Sequence, residues 1–505
     1  MVRPMIRPMI TSMVNPDVDA PLVWRGVGQG MSLSIQGFSG ASSDSRVTRT
    51  RHSSNTRFKS VRAVLQTKYV TGNPQTDQDL PYDYDFQVAF EQGYTNAVTG
   101  IPERKLFKFG GNDSVEYRVS NAPTDGYIIS DPLVLDNYVE GSELFGLWTT
   151  VNSIGGAWDT LPYQRNGSNF IQRYVGADAG ADLIASNAAK SATSITSTST
   201  SQSGVSNYFS PIMLLIETDS TSPFIAIIGD SIGYGVGEGT PGSSTNGDAL
   251  GDSFSSSGAI ERPLYSELGF DGFNMCVGGM SNKEMANAGD WPMRRALLAL
   301  ANPTHVINMN VHNDTSIGNF VLGRQKSQAY FVYDVIGSGG NTYFCNTPGV
   351  SGTVDNLTGT GDGVVDGTCV WTFIAANNSA SAHTITNMTA TNDIIKGILP
   401  NAPIFAMLGT PDASSTDGWL TVVNQTAANR WGDATSKRGI TNTIISGLPS
   451  YLNVDYAIDP NIALESSPNT SLWVADGVDV VTSDGTHPNS TGYSKLINIL
   501  DGINW

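Results

Sequence analysis

The chain of 505 residues is poor in charge: only 15% of it is Asp, Glu, Lys or Arg, against roughly 25% in an average soluble domain. Positive charge is the scarcer sign, with 28 Lys and Arg against 46 Asp and Glu and a formal net charge of −18. A broad phosphate-binding face needs clustered cations, so this balance argues against nucleic acid as a partner. Cysteine is nearly missing. Cys276, Cys345 and Cys369 are too few for the disulfide framework of a small secreted scaffold. Cys276 lies in an apolar context and reads as core, while pairing of Cys345 with Cys369 stays open. No stretch approaches the ~20 apolar residues of a membrane span. The opening Met1-Val-Arg-Pro-Met-Ile-Arg-Pro-Met-Ile10 interrupts any apolar leader with Pro and Arg, so no secretory signal is expected there. Residues 1–20 read instead as a flexible arm, or as an anchor to a larger assembly. Histidine is rare too: His52, His305, His312, His383 and His487 are the full set. None is spaced with Cys, Asp or Glu as a zinc site requires.

What the chain does hold is glycine, 54 residues of it, and neutral polar side chains around a 39% hydrophobic content. That is enough to bury a core, and the length suggests two or more domains. Within residues 21–220, short alternating runs such as Arg62-Ala-Val-Leu-Gln-Thr-Lys-Tyr-Val70, Ser114–Val119 and Tyr127-Ile-Ile129 are separated by turn signals. This spacing predicts a β-sandwich-like accessory domain. Its aromatic residues Trp148, Trp158 and Tyr163 are candidate platforms for sugar rings, against the plainer reading that they pack under loops. Eleven of the sixteen residues 191–206 are Ser or Thr, which predicts an exposed loop.

From residue 221 to 505 the pattern changes. Phe224-Ile-Ala-Ile-Ile228 is a continuous apolar run of the kind found in a fully buried parallel strand. A helix is predicted over Trp291–Leu300 with Pro292 in its first turn, then strands at Val306–Met309 and Ile404–Leu408. Thr416-Asp-Gly-Trp419 reads as a turn and Thr421–Trp431 as a helix. Strands alternating with helices predict an α/β class with a parallel sheet. Residues 324–375 break the alternation with Gly/Thr-rich β runs, including Asn341–Cys345 and Asp366–Phe373, and read as a small inserted β module. Asp362-Gly-Val-Val-Asp-Gly367 lacks the alternating ligands and closing Glu of a calcium loop and reads as turns.

Two segments carry chemistry. Gly229-Asp230-Ser231-Ile232-Gly233 puts a serine directly after a buried strand, at the sheet edge where open α/β folds bind ligands. Its flanking glycines would let a substrate approach the backbone. Near the other end, Ser483-Asp484-Gly485-Thr486-His487-Pro488 sets a carboxylate three residues before a histidine. A serine nucleophile needs an imidazole base, and the imidazole needs a carboxylate to fix its tautomer. The alternative for this segment is a capped helix start with a surface histidine.

With these residues the chain resembles the SGNH (GDSL-type) hydrolases, whose blocks carry Ser, Gly, Asn and His in that order. The resemblance spans about residues 222–505 and implies a three-layer αβα domain. It makes Ser231 the nucleophile and Asp484 and His487 its relay. It also implies an oxyanion hole from the backbone N–H groups of Ser231 and Gly279 and the side-chain amide of Asn313. Gly279 lies in Asn274-Met-Cys-Val-Gly-Gly-Met-Ser281, and Asn313 in Val311-His312-Asn313-Asp314, where the family usually has Gly in place of Val311. Gly110-Gly111-Asn112-Asp113 matches that third block better but precedes Ser231, so it reads as a β-turn. Gly229-x-Ser-x-Gly233 also satisfies the elbow of the α/β-hydrolases. Ser231 follows the first buried strand of its domain, however, with no earlier α/β strands and no His-Gly-Gly-Gly loop upstream, and the tight Asp-x-x-His spacing favours SGNH. His312 reads as a bystander. The implied function is a serine esterase acting on short acyl groups, chiefly O-acetyl esters of a carbohydrate, without metal or cofactor. The alternatives are a general short-chain carboxylesterase and a catalytically silent glycan-binding tail adhesin. The inserted module is similar to small β modules of phage tail-fibre proteins, which implies an extracellular or virion-associated setting.

Overall fold

A computed structural model describes residues 22–27, 46–70, 76–93, 104–154, 172–175, 211–235, 264–265, 268–316 and 322–505, the last apart from 333, 355, 377–378, 430, 434–435, 476 and 478–479. The expected arm at 1–20, the Ser/Thr stretch 191–206, and Trp158 and Tyr163 lie outside the described residues.

The first part of the chain folds as two antiparallel sheets. One runs in the order Val23–Val27, Met213–Thr218, Phe58–Gln66, Leu133–Val139, and the other Gln172–Val175, Arg46–Ser53, Leu144–Ile154, Asp83–Gln92, Arg104–Leu106. Their inward faces meet in one core: Val61, Ala63, Leu65 and Ile216 from the first pack with Phe86, Val88, Phe90 and Phe145 from the second. Residues two apart share a face of a strand, so Val61, Ala63 and Leu65 serve this core together. Val64, on the opposite face, packs into a different cluster with Met213, Leu215, Ala226 and Leu297. The strand is therefore buried on both sides. Trp148 belongs to this structure as a fully buried side chain whose Nε1–H donates to Glu91 Oε2 at 2.6 Å. Of the two readings of Trp148 this is the plainer one, packing, and not a surface platform.

The later part holds a five-stranded parallel sheet ordered Asp271–Asn274, Phe224–Gly229, His305–Met309, Ile404–Met407, Tyr456–Ile458. Alternation again divides its side chains. Ala226, Ile228 and Val306 pack with Leu297 and Leu298 of the Pro292–Ala301 helix and Ile395 of the Ser379–Ile398 helix. Ile225, Ile227 and Ile307 pack with Tyr265, Trp473, Tyr493 and Leu500 on the other face. Cys276 sits in this second cluster as expected. The Pro292–Ala301 helix carries Pro at its start, and its next two N–H groups donate to Asp77 Oδ2 at 2.9 and 3.2 Å. The cap thus comes from a residue 216 positions away. Asp77 also pairs with the buried Arg294 at 2.8 Å.

Between the helices Val311–Ser316 and Ser379–Ile398 lies a mixed sheet ordered Leu322–Gly323, Val335–Ser338, Asn341–Thr347, Cys369–Ala376, Asp362–Asp366, antiparallel except for its first pair. One set of its side chains, Tyr343, Cys345, Cys369 and Trp371, forms a small core of its own. Phe344 and Ile374 instead join Val311, Ile385 and Met388. Cys345 and Cys369 are both buried free thiols. Asp362–Asp366 is a strand rather than turns, paired with Cys369–Ala376, and Arg324 takes the Asp366 carboxylate in a two-pronged contact at 2.6 Å. Thr421–Trp431 is not a helix either. Val422–Asn424 is a 3-10 turn and Gln425–Ala427 a strand paired with Ala413–Ser415. Asp417 collects the N–H of Leu420, the N–H and hydroxyl of Thr421 and the amide of Asn424 at 2.6–3.2 Å. Such local bonds compete with the helical ladder.

Candidate active site

The Phe224–Gly229 strand ends in Asp230, which caps the one-turn helix Ser231–Tyr234 by accepting the Ile232 N–H at 2.9 Å. Ser231 is the first residue of that turn and is half-buried. The flanking Gly233 serves packing rather than substrate approach: a Cβ there would stand 2.4 Å from Cys276 Sγ.

The second chemical segment arrives from the other end of the chain. His487 Nε2 lies 2.9 Å from Ser231 Oγ, and His487 Nδ1 lies 2.7 Å from Asp484 Oδ2. Asp484 also accepts the N–H groups of Thr486 and His487 at 2.9 and 2.8 Å. Burial pushes the Asp484 carboxyl up, but these bonds from His487 and Thr486 outweigh it and hold the group below the usual carboxylate range. An ionised Asp484 accepting from Nδ1–H leaves Nε2 as the lone-pair nitrogen facing Ser231. Gly485 makes the bend between them with φ +85°. A Cβ there would meet Ala413 O at 2.0 Å and the Trp419 ring at 2.4 Å, so the loop is pressed against the Ala413–Ala427 hairpin in a way only glycine allows.

Gly279 stands with φ +80° in the turn closed by Met280 N–H to Val277 O at 3.0 Å. Asn313, half-buried, donates one amide hydrogen to Met280 O at 2.9 Å. An Asn amide carries two such hydrogens. The Asn313 backbone N–H is bound by the Asp230 carboxylate. Asp230 thereby ties the serine turn to the segment bearing Asn313, and Asn313 ties itself to the turn bearing Gly279. Gly110-Gly111-Asn112-Asp113 is a tight turn instead: Phe109 and Asn112 exchange N–H to O bonds, and both glycines have positive φ.

His312 is buried, its Nδ1 is 3.2 Å from Thr410 Oγ1, and its ring lies 4.5 Å from that of Trp431. Burial, followed by repulsion from His487 and Arg438, pushes its pKa down to about 3. It stays neutral at any working pH, close enough to His487 to feel its charge. Sequence reading passed over Thr410 and Asp412, which follow the Ile404–Met407 strand. Their position at the carboxyl end of a parallel strand was the available signal.

Two buried carboxyls near the site are protonated well above the normal range. Burial raises Asp230 to about 7 against its backbone N–H partners, and raises Asp314 to about 7 against the Asn282 N–H. Among the described residues Asp230 Oδ2 has no hydrogen-bond partner. In the unfolded chain both groups ionise near 3.8. Between about pH 4 and 7 the folded state therefore binds more protons, and their contribution to stability falls as pH rises through that window. Asp230→Asn keeps the shape without the ionisation. Its stability relative to the unaltered protein should rise between pH 5.5 and 8 by up to ~2 kcal/mol, since about 1.5 units of the shifted window lie between those pH values. Urea unfolding at the two pH values reads this directly, and an unchanged difference would refute it.

No protein-family model matches the chain, and no curated protein matches it. Among solved structures it is similar to a family-two carbohydrate esterase from Clostridium thermocellum in complex with cellohexaose, at 10% identity and TM-score 0.30, covering 95% of this chain and 97% of that one. A carbohydrate esterase family 2 enzyme with a carbohydrate-binding domain from Myceliophthora fergusii gives 13%, 0.29 and the same coverages. A variant of an acetyl-xylooligosaccharide esterase from Geobacillus gives 15% and 0.28, covering 56% of this chain and 95% of that one. At such identities and TM-scores, what this chain does is read from its own side chains.

Proposed function

We propose that the chain is a serine esterase of the SGNH type that removes short acyl groups, chiefly O-acetyl esters, from a carbohydrate. The observation that carries this reading is the continuous relay Ser231 Oγ, His487 Nε2, His487 Nδ1, Asp484 Oδ2, with contacts of 2.9 and 2.7 Å. In the proposed reaction Ser231 Oγ attacks the ester carbonyl and its proton passes to His487 Nε2. The oxyanion is met by the N–H groups of Ser231 and Gly279 and the second amide hydrogen of Asn313. Collapse expels the alcohol, which takes the proton from His487, and leaves an acyl-serine. Water then attacks with His487 as base, releases the acid and restores the serine. Within this reading residues 221–505 are the three-layer catalytic unit, 21–220 the accessory β-sandwich and 324–375 the insert. The setting is extracellular or virion-associated.

The substrate class is tested by incubating the protein with an O-acetylated bacterial surface polysaccharide and with p-nitrophenyl butyrate. Acetate release from the glycan, with a matching loss of acetyl mass, is the expected result. Hydrolysis of the butyryl ester alone would make the protein a general short-chain carboxylesterase. Glycan binding with no hydrolysis of either would make it an adhesin.

A further inference from the structure

Successive strands of the parallel sheet deliver residues to one edge: Ser231 follows Gly229, Gly279 follows Asn274, and Asn313 follows Met309. The Ile404–Met407 strand delivers the segment Leu408–Asp412 to the same edge. That segment is held from several sides. The Gly409 carbonyl accepts from Arg438 Nε at 2.9 Å, Asn442 Nδ2 at 3.1 Å and Asn461 Nδ2 at 3.2 Å. The Gly409 N–H donates to Asn442 Oδ1 at 2.8 Å. At Asp412 the N–H donates to Ser471 Oγ at 2.9 Å, and the carbonyl accepts from the Ala428 N–H at 2.8 Å. A main chain this constrained leaves its side chain little choice of direction.

That side chain meets the acid–base loop. Thr486 Oγ1 donates to Asp412 Oδ1 at 3.2 Å, while the Thr486 N–H donates to Asp484 Oδ1 at 2.9 Å. One threonine therefore bridges two carboxylates, immediately before the histidine. Asp412 is half-buried, and among the described residues no Lys or Arg pairs with it. A partly buried carboxylate without a counter-ion is unfavourable. Burial raises the Asp412 carboxyl above its ordinary range; Thr486 and His487 oppose this and Asp484 reinforces it. The groups facing His487 are Ser231, Asp484, Asp412 and the neutral His312. The positive charge that forms beside Asp412 is thus the imidazolium of His487.

Resting on the esterase reading, we propose that Asp412 is a positioning residue of the reaction: through Thr486 it holds the Asp484–His487 loop, and its charge favours the imidazolium that forms as Ser231 attacks. Because that charge acts mainly while His487 carries the proton, its effect is greater in the transition state than at rest.

The test compares the unaltered protein with Asp412→Asn, Asp412→Glu and Thr486→Val, using p-nitrophenyl acetate turnover and NMR titration of labelled imidazoles. Asp412→Asn is expected to lower kcat by about three- to thirtyfold with KM within about twofold. The acid limb of kcat/KM and the His487 titration should both move to lower pH by about half a unit or more. Thr486→Val, which keeps the charge, should lower kcat with a smaller displacement, and Asp412→Glu should recover part of the loss. A folded Asp412→Asn with unmoved acid limb and imidazole titration overturns the proposal. If that variant does not fold, full kcat in both Thr486→Val and Asp412→Glu overturns it. If the unaltered protein hydrolyses no ester, the esterase reading falls by itself. The His487 titration then still decides the Asp412 contact: displacement supports it, and none overturns it.

Discussion

Ser231→Ala is expected to abolish ester hydrolysis, with kcat falling by about three to six orders of magnitude. Thermal melting should be nearly unchanged. The size follows from the chemistry: without Oγ there is no acyl-serine, and the remaining oxyanion donors can only assist direct attack by water. Folding should hardly notice, because Ser231 is half-buried in a one-turn helix whose cap is the neighbouring Asp230. Replacing a side chain of this kind shifts stability by about 0.5 kcal/mol or less. His487→Ala should cost a similar factor, and the double variant should be little worse than either, since the two act as one unit. A p-nitrophenyl ester assay beside a melting curve checks all three. Turnover surviving in Ser231→Ala would remove Ser231 from the role of nucleophile.

The largest expected loss of stability comes from Arg438→Leu. Arg438 is fully buried and pairs with Glu465 at 3.0 Å, itself almost entirely enclosed. It also donates to Asn461 Oδ1 at 2.9 Å and to the Gly409 carbonyl. Removing the guanidinium leaves the Glu465 carboxylate buried without a cation, which costs about 3–5 kcal/mol. The exposed pair of Arg118 with Glu116 is the contrast: its loss should cost under about 1 kcal/mol. Urea denaturation of the two variants should separate them clearly, and equal midpoints would contradict the argument. Arg438→Leu should also lower kcat beyond the effect of partial unfolding, because Gly409 leads to Thr410 and Asp412 beside the site.

Much of the later half of the chain was legible. The run Phe224–Ile228 announced a strand buried on both faces, and the structure places its alternate residues in two separate clusters. Pro292 marked a helix start correctly. Errors gathered where a distant or local polar partner decided the backbone. Asp417 drew Thr421 and Asn424 into a turn where a helix was expected, and pairing with Cys369–Ala376 made Asp362–Asp366 a strand where turns were expected. The two readings of Trp148 stayed open because nothing local announces that Glu91 on the neighbouring strand will take its indole N–H.

The sequence by itself determined the α/β class of layer and named the candidate reacting groups. Periodicity of apolar residues is a local property, and Ser, Asp and His have few joint uses other than nucleophilic relay. Only the tertiary structure decided that residues 256 positions apart meet at 2.9 Å, and that Asp230 and Asn313 lock the serine turn to its neighbours. It also decided that Asp412 stands beside the acid–base loop, an acidic residue among 46 whose sequence context shows nothing unusual. The physical reason is that a parallel sheet gathers the carboxyl ends of strands far apart in the chain. What each loop then touches depends on packing and hydrogen bonds between elements, which no local pattern encodes.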